Sequence, residues 1–192
     1  EPGDLIIVIR DSALRTVDLA TVVHTAAFDP AILDHRNLVA FILDDGIGMD
    51  AETVKKISDP FYTTRTTRRV GLGIPLLKAA AEACNGYLSI ESEPGKGTSV
   101  TVAFQYSHID RMPLGDIPTT MLGLIVGSPE VHWKMRYESD GQEFLFDDAE
   151  IKQELEGIPL SDPDVIRFIS GYLKEGIESI LESQMSVSLQ EK

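Results

Sequence analysis

The sequence is short of cysteine, of basic residues and of long apolar runs, and each shortage narrows what the chain can be. One cysteine, Cys84, among 192 residues permits no intrachain disulfide. That fits a reducing, cytoplasmic setting and reads Cys84 as a small buried apolar side chain. No apolar stretch approaches the ~18 residues that a membrane helix needs, and no basic start followed by an apolar run marks a signal peptide. Lys and Arg number 17 against 31 Asp and Glu, a formal charge of −14. The deficit is uneven: residues 1–106 hold 10 basic and 14 acidic side chains, net −4, and residues 107–192 hold 7 and 17, net −10. A surface of that sign repels phosphate backbones and anionic lipid, so neither nucleic acid nor a membrane is an expected partner. The one dense basic patch is Arg65, Arg68 and Arg69. Glu1 is not a methionine, and the sequence reads as trimmed at its N-terminus.

What is present divides into two textures. Residues 4–15, rich in Leu and Ile, are expected to form a helix. Val17 to Phe28 and Asn37 to Asp44 are expected strands, rich in β-branched and apolar residues. Asp50 is placed to cap a short helix running to residue 57, and residues 59–70, with four Thr and three Arg, read as a loop. A helix follows Gly73, tolerates Pro75 in its first turn and stops at Asn85-Gly86. Tyr87 to Glu91 and Thr98 to Tyr106 alternate as strands about the turn Glu93-Pro94-Gly95-Lys96-Gly97. The order α-β-β-α-loop-α-β-β suggests helices packed on one face of a mixed sheet.

After Tyr106, residues 107–118 read as a connector and 119–126 as a short apolar helix. Ser139-Asp140-Gly141 reads as the turn of a hairpin, and Ser161-Asp162-Pro163-Asp164 as the start of an amphipathic helix. That helix either docks on the body, the favoured reading, or forms a dimer seam. The expected organisation is one unit over 1–106 and an acidic α+β extension over 107–192.

Four segments can carry chemistry. Asp44-Asp45-Gly46-Ile47-Gly48-Met49 ends an apolar strand: a carboxylate there can accept from an exocyclic amine, and glycines let a flat ring approach the backbone. Taken alone it is also an ordinary Asp-Gly turn, and it lacks the third glycine of a Rossmann fingerprint. In Asp59-Pro60-Phe61-Tyr62-Thr63-Thr64, a proline and a buried aromatic would anchor a loop whose Thr and Arg side chains close over phosphates. Gly71-Leu72-Gly73-Ile74-Pro75 opens a helix whose unpaired N–H groups attract anions. Gly95-Lys96-Gly97-Thr98 lies between strands, so it is not a Walker site.

In this order and spacing the four segments resemble the first glycine box, the phenylalanine box and the second and third glycine boxes of the GHKL, or Bergerat-fold, superfamily of histidine-kinase-like ATPases. The resemblance covers roughly residues 4–106. It implies an α/β two-layer sandwich with a mixed sheet and helices on one face, carrying a small α+β appendage, and it implies ATP and Mg²⁺ as ligands. Asp44 would take the adenine amine, with Gly46, Gly48, Met49 and Thr98 forming the base pocket. Gly71, Leu72 and Gly73 would cradle phosphates. Phe61, Thr63, Thr64 and the arginines through Arg69 would form a short lid, Arg69 being the preferred phosphate contact. The family's asparagine box, a helix bearing a metal ligand and a base four residues before it, matches best at Leu5 to Ser12. That places Asp11 as the magnesium ligand and Ile7, which cannot take a proton, at the base position, so fast hydrolysis is not expected. His108 falls at the spacing of a sensor-kinase phosphoacceptor box and is the candidate acceptor, although a linker histidine is the plainer reading. The resemblance implies Mg-ATP-dependent transfer to a protein phosphoacceptor in signalling, with a homodimer in view. A nucleotide-binding regulatory module acting on a partner, and a slow ATPase, stand as alternatives.

Overall fold

A computed structural model describes the backbone of residues 4–11, 37–59, 61–62, 71–139, 142–155 and 157–190, and the side chains of these except 4–11 and 183–190. Six strands form one mixed sheet in the order β3-β4-β2-β1-β5-β6. The first half contributes β1 (Asp4–Asp11), β2 (Asn37–Asp44), β3 (Tyr87–Glu93) and β4 (Gly97–Gln105), with α1 (Ala51–Lys56) and α2 (Gly73–Ala83) between β2 and β3. The second half adds α3 (Ile117–Gly127), β5 (His132–Ser139), β6 (Gln142–Asp147), α4 (Asp148–Glu154) and α5 (Pro163–Gln190). The architecture is the expected α/β sandwich on a mixed sheet.

The helix expected over residues 4–15 is a strand over 4–11, a correction with a clear cause. Leu5-Ile6-Ile7-Val8-Ile9 is a continuous apolar run, and β1 is central, antiparallel to β2 on one side and parallel to β5 on the other. A short continuous apolar run of this kind suits a central strand as well as a buried helix segment, so periodicity alone cannot tell the two apart. The strand expected over 17–28 lies outside the described residues.

The shorter expectations hold. Asp50 caps α1 by accepting from Thr53 N at 2.7 Å. The end of α2 is made by Asn85 at φ 54, the one non-glycine residue with positive φ among the described residues. Gly86 then passes so close to β4 that a Cβ on it would stand 1.8 Å from Ala103 O. Leu38, Val39 and Phe41 of β2, Val102 and Ala103 of β4, and Ala81 and Cys84 at the end of α2 are buried.

The second half has its own core. Trp133, Met135 and Tyr137 alternate along β5 and pack with Phe146, with Met121 and Ile125 of α3, and with Val165, Ile169, Leu173, Ile177 and Ile180 of α5. The last helix therefore docks on the body, as favoured. Each fully buried Leu or Ile contributes about 1.5–3 kcal/mol over its exposed state. Helix α4, absent from the sequence expectations, begins where β6 ends, because Asp147 turns from strand to cap and accepts from Ala149 N at 2.9 Å. Around it His132 Nε2 lies 2.6 Å from Asp147 Oδ1. Fully buried Asp148 accepts from Trp133 N at 3.1 Å and pairs with Lys152 Nζ at 2.8 Å. These carboxylates are already engaged by N–H groups and an ammonium, so the cluster reads as an ionic clasp joining β5, β6 and α4.

Candidate functional site

The site is built where β2 ends. Asp44 stands opposite Thr98 of β4, and Thr98 stands opposite Ser92 of β3, so the three share one row of the sheet. Past Asp44 the chain turns away through Gly46 and Gly48 and lies against the β3–β4 turn. Gly48 has φ 64 and Gly97 φ 97. A Cβ on Gly48 would stand 2.0 Å from Glu93 O, and one on Gly97 would stand 1.9 Å from Asp44 O. Only glycine permits two backbones to meet this closely at positive φ.

Hydrogen bonds fasten the two loops. Gly95 N donates to Ile47 O at 2.8 Å, and Met49 N donates to Ser92 Oγ at 2.8 Å. Ser92 Oγ donates to Gly97 O at 2.9 Å and lies 3.0 Å from Thr98 Oγ1. A serine hydroxyl has one proton, and it is spent on Gly97 O; Thr98 must therefore donate to Ser92, which leaves the Thr98 oxygen able to accept. Ser92 belongs to this candidate site and was not among the residues expected from the sequence. The signal was its position directly across the hairpin from Thr98, visible only once the register is fixed.

Asp44 is half-buried, and its Oδ1 accepts from Gly46 N at 2.9 Å. Among the described residues no hydrogen bond reaches its Oδ2, which can accept from a donor. Asp44, Gly46, Gly48, Met49 and Thr98 are thus brought together. A depression of 370 Å³ borders Asp44, Ser92, Lys96 and Thr98. Larger concavities of 640 and 520 Å³ lie in the second half of the chain, so volume alone does not single out this site.

Gly71, Leu72 and Gly73 lie at the start of α2, with Leu72 as an N-cap that makes no side-chain hydrogen bond. The first-turn N–H groups of a helix have no intrahelical partner. A Cβ on Gly73 would meet nothing within 4 Å, so the chain's own packing does not demand glycine there. Phe61 corrects an expectation: foreseen as a buried anchor, it is 81% exposed, held at its backbone where its N–H donates to Asp59 Oδ1 at 2.9 Å. Ile47, Leu72 and Leu76 are exposed as well, so the segments of the pattern present apolar surface to solvent. Thr63, Thr64 and Arg69 lie outside the described residues, as do Arg65 and Arg68.

Two further residues stand apart. Asp11 is the last residue of β1 and pairs with Leu38, whereas Asp44 pairs with Leu5 at the other end of the same ladder. Six residues of strand separate the two positions by about 20 Å. With residues 4–11 a strand, the helical spacing on which Asp11 was expected as a magnesium ligand and Ile7 at the base position is not present there. His108 follows the far end of β4, seven residues or about 23 Å along the strand from Thr98. It sits in a tight turn: its Nδ1 accepts from Asp110 N at 3.2 Å and lies 3.9 Å from Asp110 Oδ2. Arg111 Nε donates to Tyr106 O at 2.6 Å, with its guanidinium over the Tyr106 ring.

Comparison with known proteins decides the family. The family described as histidine kinase-, DNA gyrase B-, and HSP90-like ATPase matches residues 9–108. The chain belongs to this family. It carries an ATP-binding domain of kinase type, and the interlocked loops about Asp44 fall within the matched residues. Among curated proteins it is similar to the sensor histidine kinase YxdK of Bacillus subtilis, 35% identical over 75 residues, 37% of this chain and 23% of that protein. Sporulation kinase E of the same organism is 39% identical over 66 residues, covering 34% and 9%. The heme sensor protein HssS of Staphylococcus saprophyticus is 38% identical over 71 residues, covering 36% and 15%. The chain thus matches less than a quarter of the length of these relatives. Among the described residues no helix is long and apolar enough to cross a membrane.

Proposed function

We propose that this chain binds ATP with its adenine against Asp44 and Thr98 and transfers the terminal phosphoryl group to a protein side chain in a cytoplasmic signalling process. The observation that carries the reading is the free Oδ2 of Asp44, held at the end of β2 by the Gly46 N–H and walled by the β3–β4 turn. A carboxylate so placed accepts from the adenine amine and is repelled by the guanine carbonyl. The N-terminus of α2 and the arginines of residues 63–70 supply the positive potential for the phosphates. Phosphoryl transfer asks of a protein mainly position and charge stabilisation, which fits a site made of backbone N–H groups and arginine. Magnesium would supply neutralisation of the phosphate charge. No described side chain is assigned to hold it, since Asp11 lies at the wrong end of β1.

One observation favours a second reading, in which nucleotide occupancy regulates a partner. Strand β1 is hydrogen-bonded to the strand that bears Asp44 and, on its other side, to β5 of the acidic extension. Incubation of the full chain with γ-labelled ATP and Mg²⁺, following both free phosphate and labelled protein, separates the readings. Label on the chain or on an added acceptor protein supports transfer. Tight binding with neither product leaves regulation as the function, and phosphate release alone makes the chain a slow ATPase.

A further inference from the structure

Strand β6 closes one end of the sheet, and among the described residues no strand pairs with its outer side. In a strand, alternate residues direct N–H and C=O groups outward, and proteins usually blunt such an edge with lysine, proline or a bulge. β6, Gln142-Glu143-Phe144-Leu145-Phe146-Asp147, has no lysine or proline, and Leu145 at its centre is 58% exposed.

Beside this edge runs a groove of 640 Å³ lined by Leu145, Phe146, Glu150, Glu154, Phe168 and Tyr172, among others. One wall is aromatic. Phe168 and Tyr172, a turn apart on α5, are 60% and 45% exposed and stack with centroids 6.4 Å apart and planes within 6°. Their position relative to the edge is fixed, because Gly176 lets α5 lie directly on β6: a Cβ there would stand 2.2 Å from the Phe144 ring. The other wall is acidic. Glu150 and Glu154, a turn apart on α4, have no ion pair among the described residues. The groove's two basic residues are already matched, Lys134 with Asp147 at 4.0 Å and Arg136 with Glu143 at 2.8 Å. The uncompensated charge of the groove is therefore negative.

We propose that the β6 edge binds an extended segment of a partner protein as an added strand, the segment carrying apolar or aromatic residues alternating with lysine or arginine. Backbone hydrogen bonds to an open edge supply affinity, and pockets for alternate side chains supply the choice of sequence. Basic residues turned into the groove meet Glu150 and Glu154, with Phe168 and Tyr172 packing on their stems, and the alternating apolar residues, on the other face, lie beside exposed Leu145. Charge argues against a second copy as occupant, since self-pairing would bring Glu143 and Asp147 of two chains, each of net charge −14, onto one short ladder. The proposal is independent of the reading of the ATP site.

The test uses the full chain and a fluorescein-labelled peptide, Lys-Leu-Lys-Trp-Lys-Leu-Lys. Two relatives of the peptide are N-methylated, one at every lysine and the other at every apolar residue. N-methylation removes the donors along one edge of a strand while keeping charge and side chains. The expected result by fluorescence polarisation is binding of the parent, a tenfold or greater loss in one methylated phase, and near-parent binding in the other. Combined Glu150→Lys and Glu154→Lys should weaken the parent at least tenfold with an unchanged melting temperature, and Phe168→Ser should weaken it as well. Equal binding of both methylated phases would reduce the interaction to charge and overturn the added strand. So would failure of the parent to bind, or a β6-mediated dimer that the peptide merely disrupts.

Discussion

Gly97 lies so close to Asp44 that a Cβ on the glycine would stand 1.9 Å from the aspartate's carbonyl oxygen, at a φ of 97 that side chains avoid. The loop after β2 and the turn before β4 are in this sense one object. Gly97→Ala is expected to cost about 1–3 kcal/mol through backbone strain and to push the Asp44 loop away from Thr98, weakening ATP binding more than stability. Ser92→Ala leaves Met49 N–H without its acceptor, a loss of about 1–3 kcal/mol, and should produce the milder version of the same defect. Urea denaturation and nucleotide titration on the same samples check both; unaltered affinity in Gly97→Ala would separate the turn from the site.

How far this could be seen in the sequence depends on whether the cause is local. The cap at Asp50, the stop at Asn85-Gly86 and the pairing of β5 with β6 as a hairpin follow from a few local residues and were legible. Asp44, Gly48 and Thr98 were named from residue types and order alone, and the fold brings them together at the end of β2. Strand β1 was not legible, because a run such as Leu5 to Ile9 carries no period, and its parallel pairing with β5 joins residues more than 120 positions apart. Ser92 was missed because its three contacts arise from register and not from any motif. Phe61 was misjudged because a large aromatic beside a proline reads as an anchor, while its exposure depends on which neighbours the fold brings to it.

Asp11→Asn should alter neither ATP affinity nor its metal dependence by more than about twofold, since strand geometry puts the residue about 20 Å along the sheet from the row of Asp44. Titrations with and without Mg²⁺ check this. A gain in metal-dependent affinity would return Asp11 to the site and contradict the strand assignment.

His108 is held within one chain at the far end of β4, so any phosphoryl group it receives must come from another molecule. Labelling from γ-labelled ATP is expected to be weak, acid-labile, dependent on protein concentration and absent in His108→Ala. Strong label that survives His108→Ala would point to an acceptor elsewhere.

Acid should loosen the helix starts. Asp50 and Asp116 have pKa values below the ordinary 3.8, each chiefly because a backbone N–H, of Thr53 and Thr119 respectively, donates to the carboxylate. For Asp147 burial pushes upward, but hydrogen bonds from His132 and Ala149 N–H outweigh it, and its value too is lowered. A carboxylate with a folded pKa below its unfolded one stabilises the fold fully above the unfolded value, and that stability is lost as pH falls through the folded value. Relief of the acidic self-repulsion works the other way down to the pI near 4.6. The urea midpoint is therefore expected to hold or rise from pH 7 to about 5 and to fall below about pH 4. Asp147→Asn should lower the midpoint at pH 7 and flatten the acid decline; a decline of unchanged depth would remove that carboxylate as a cause.

The central claim is that Asp44 reads the adenine amine, and calorimetric titration of the wild type and Asp44→Asn with ATP and with GTP tests it most directly. An asparagine has one acceptor oxygen, and the Gly46 N–H already occupies that position at 2.9 Å, so its NH₂ would face the adenine amine donor to donor. The account predicts that the wild type binds ATP and rejects GTP. In Asp44→Asn, ATP binding should weaken about ten- to a hundredfold, the size of a hydrogen bond to a charged group, and preference over GTP should narrow with the fold retained. Equal wild-type affinity for the two nucleotides, or unchanged ATP affinity in Asp44→Asn, would contradict it.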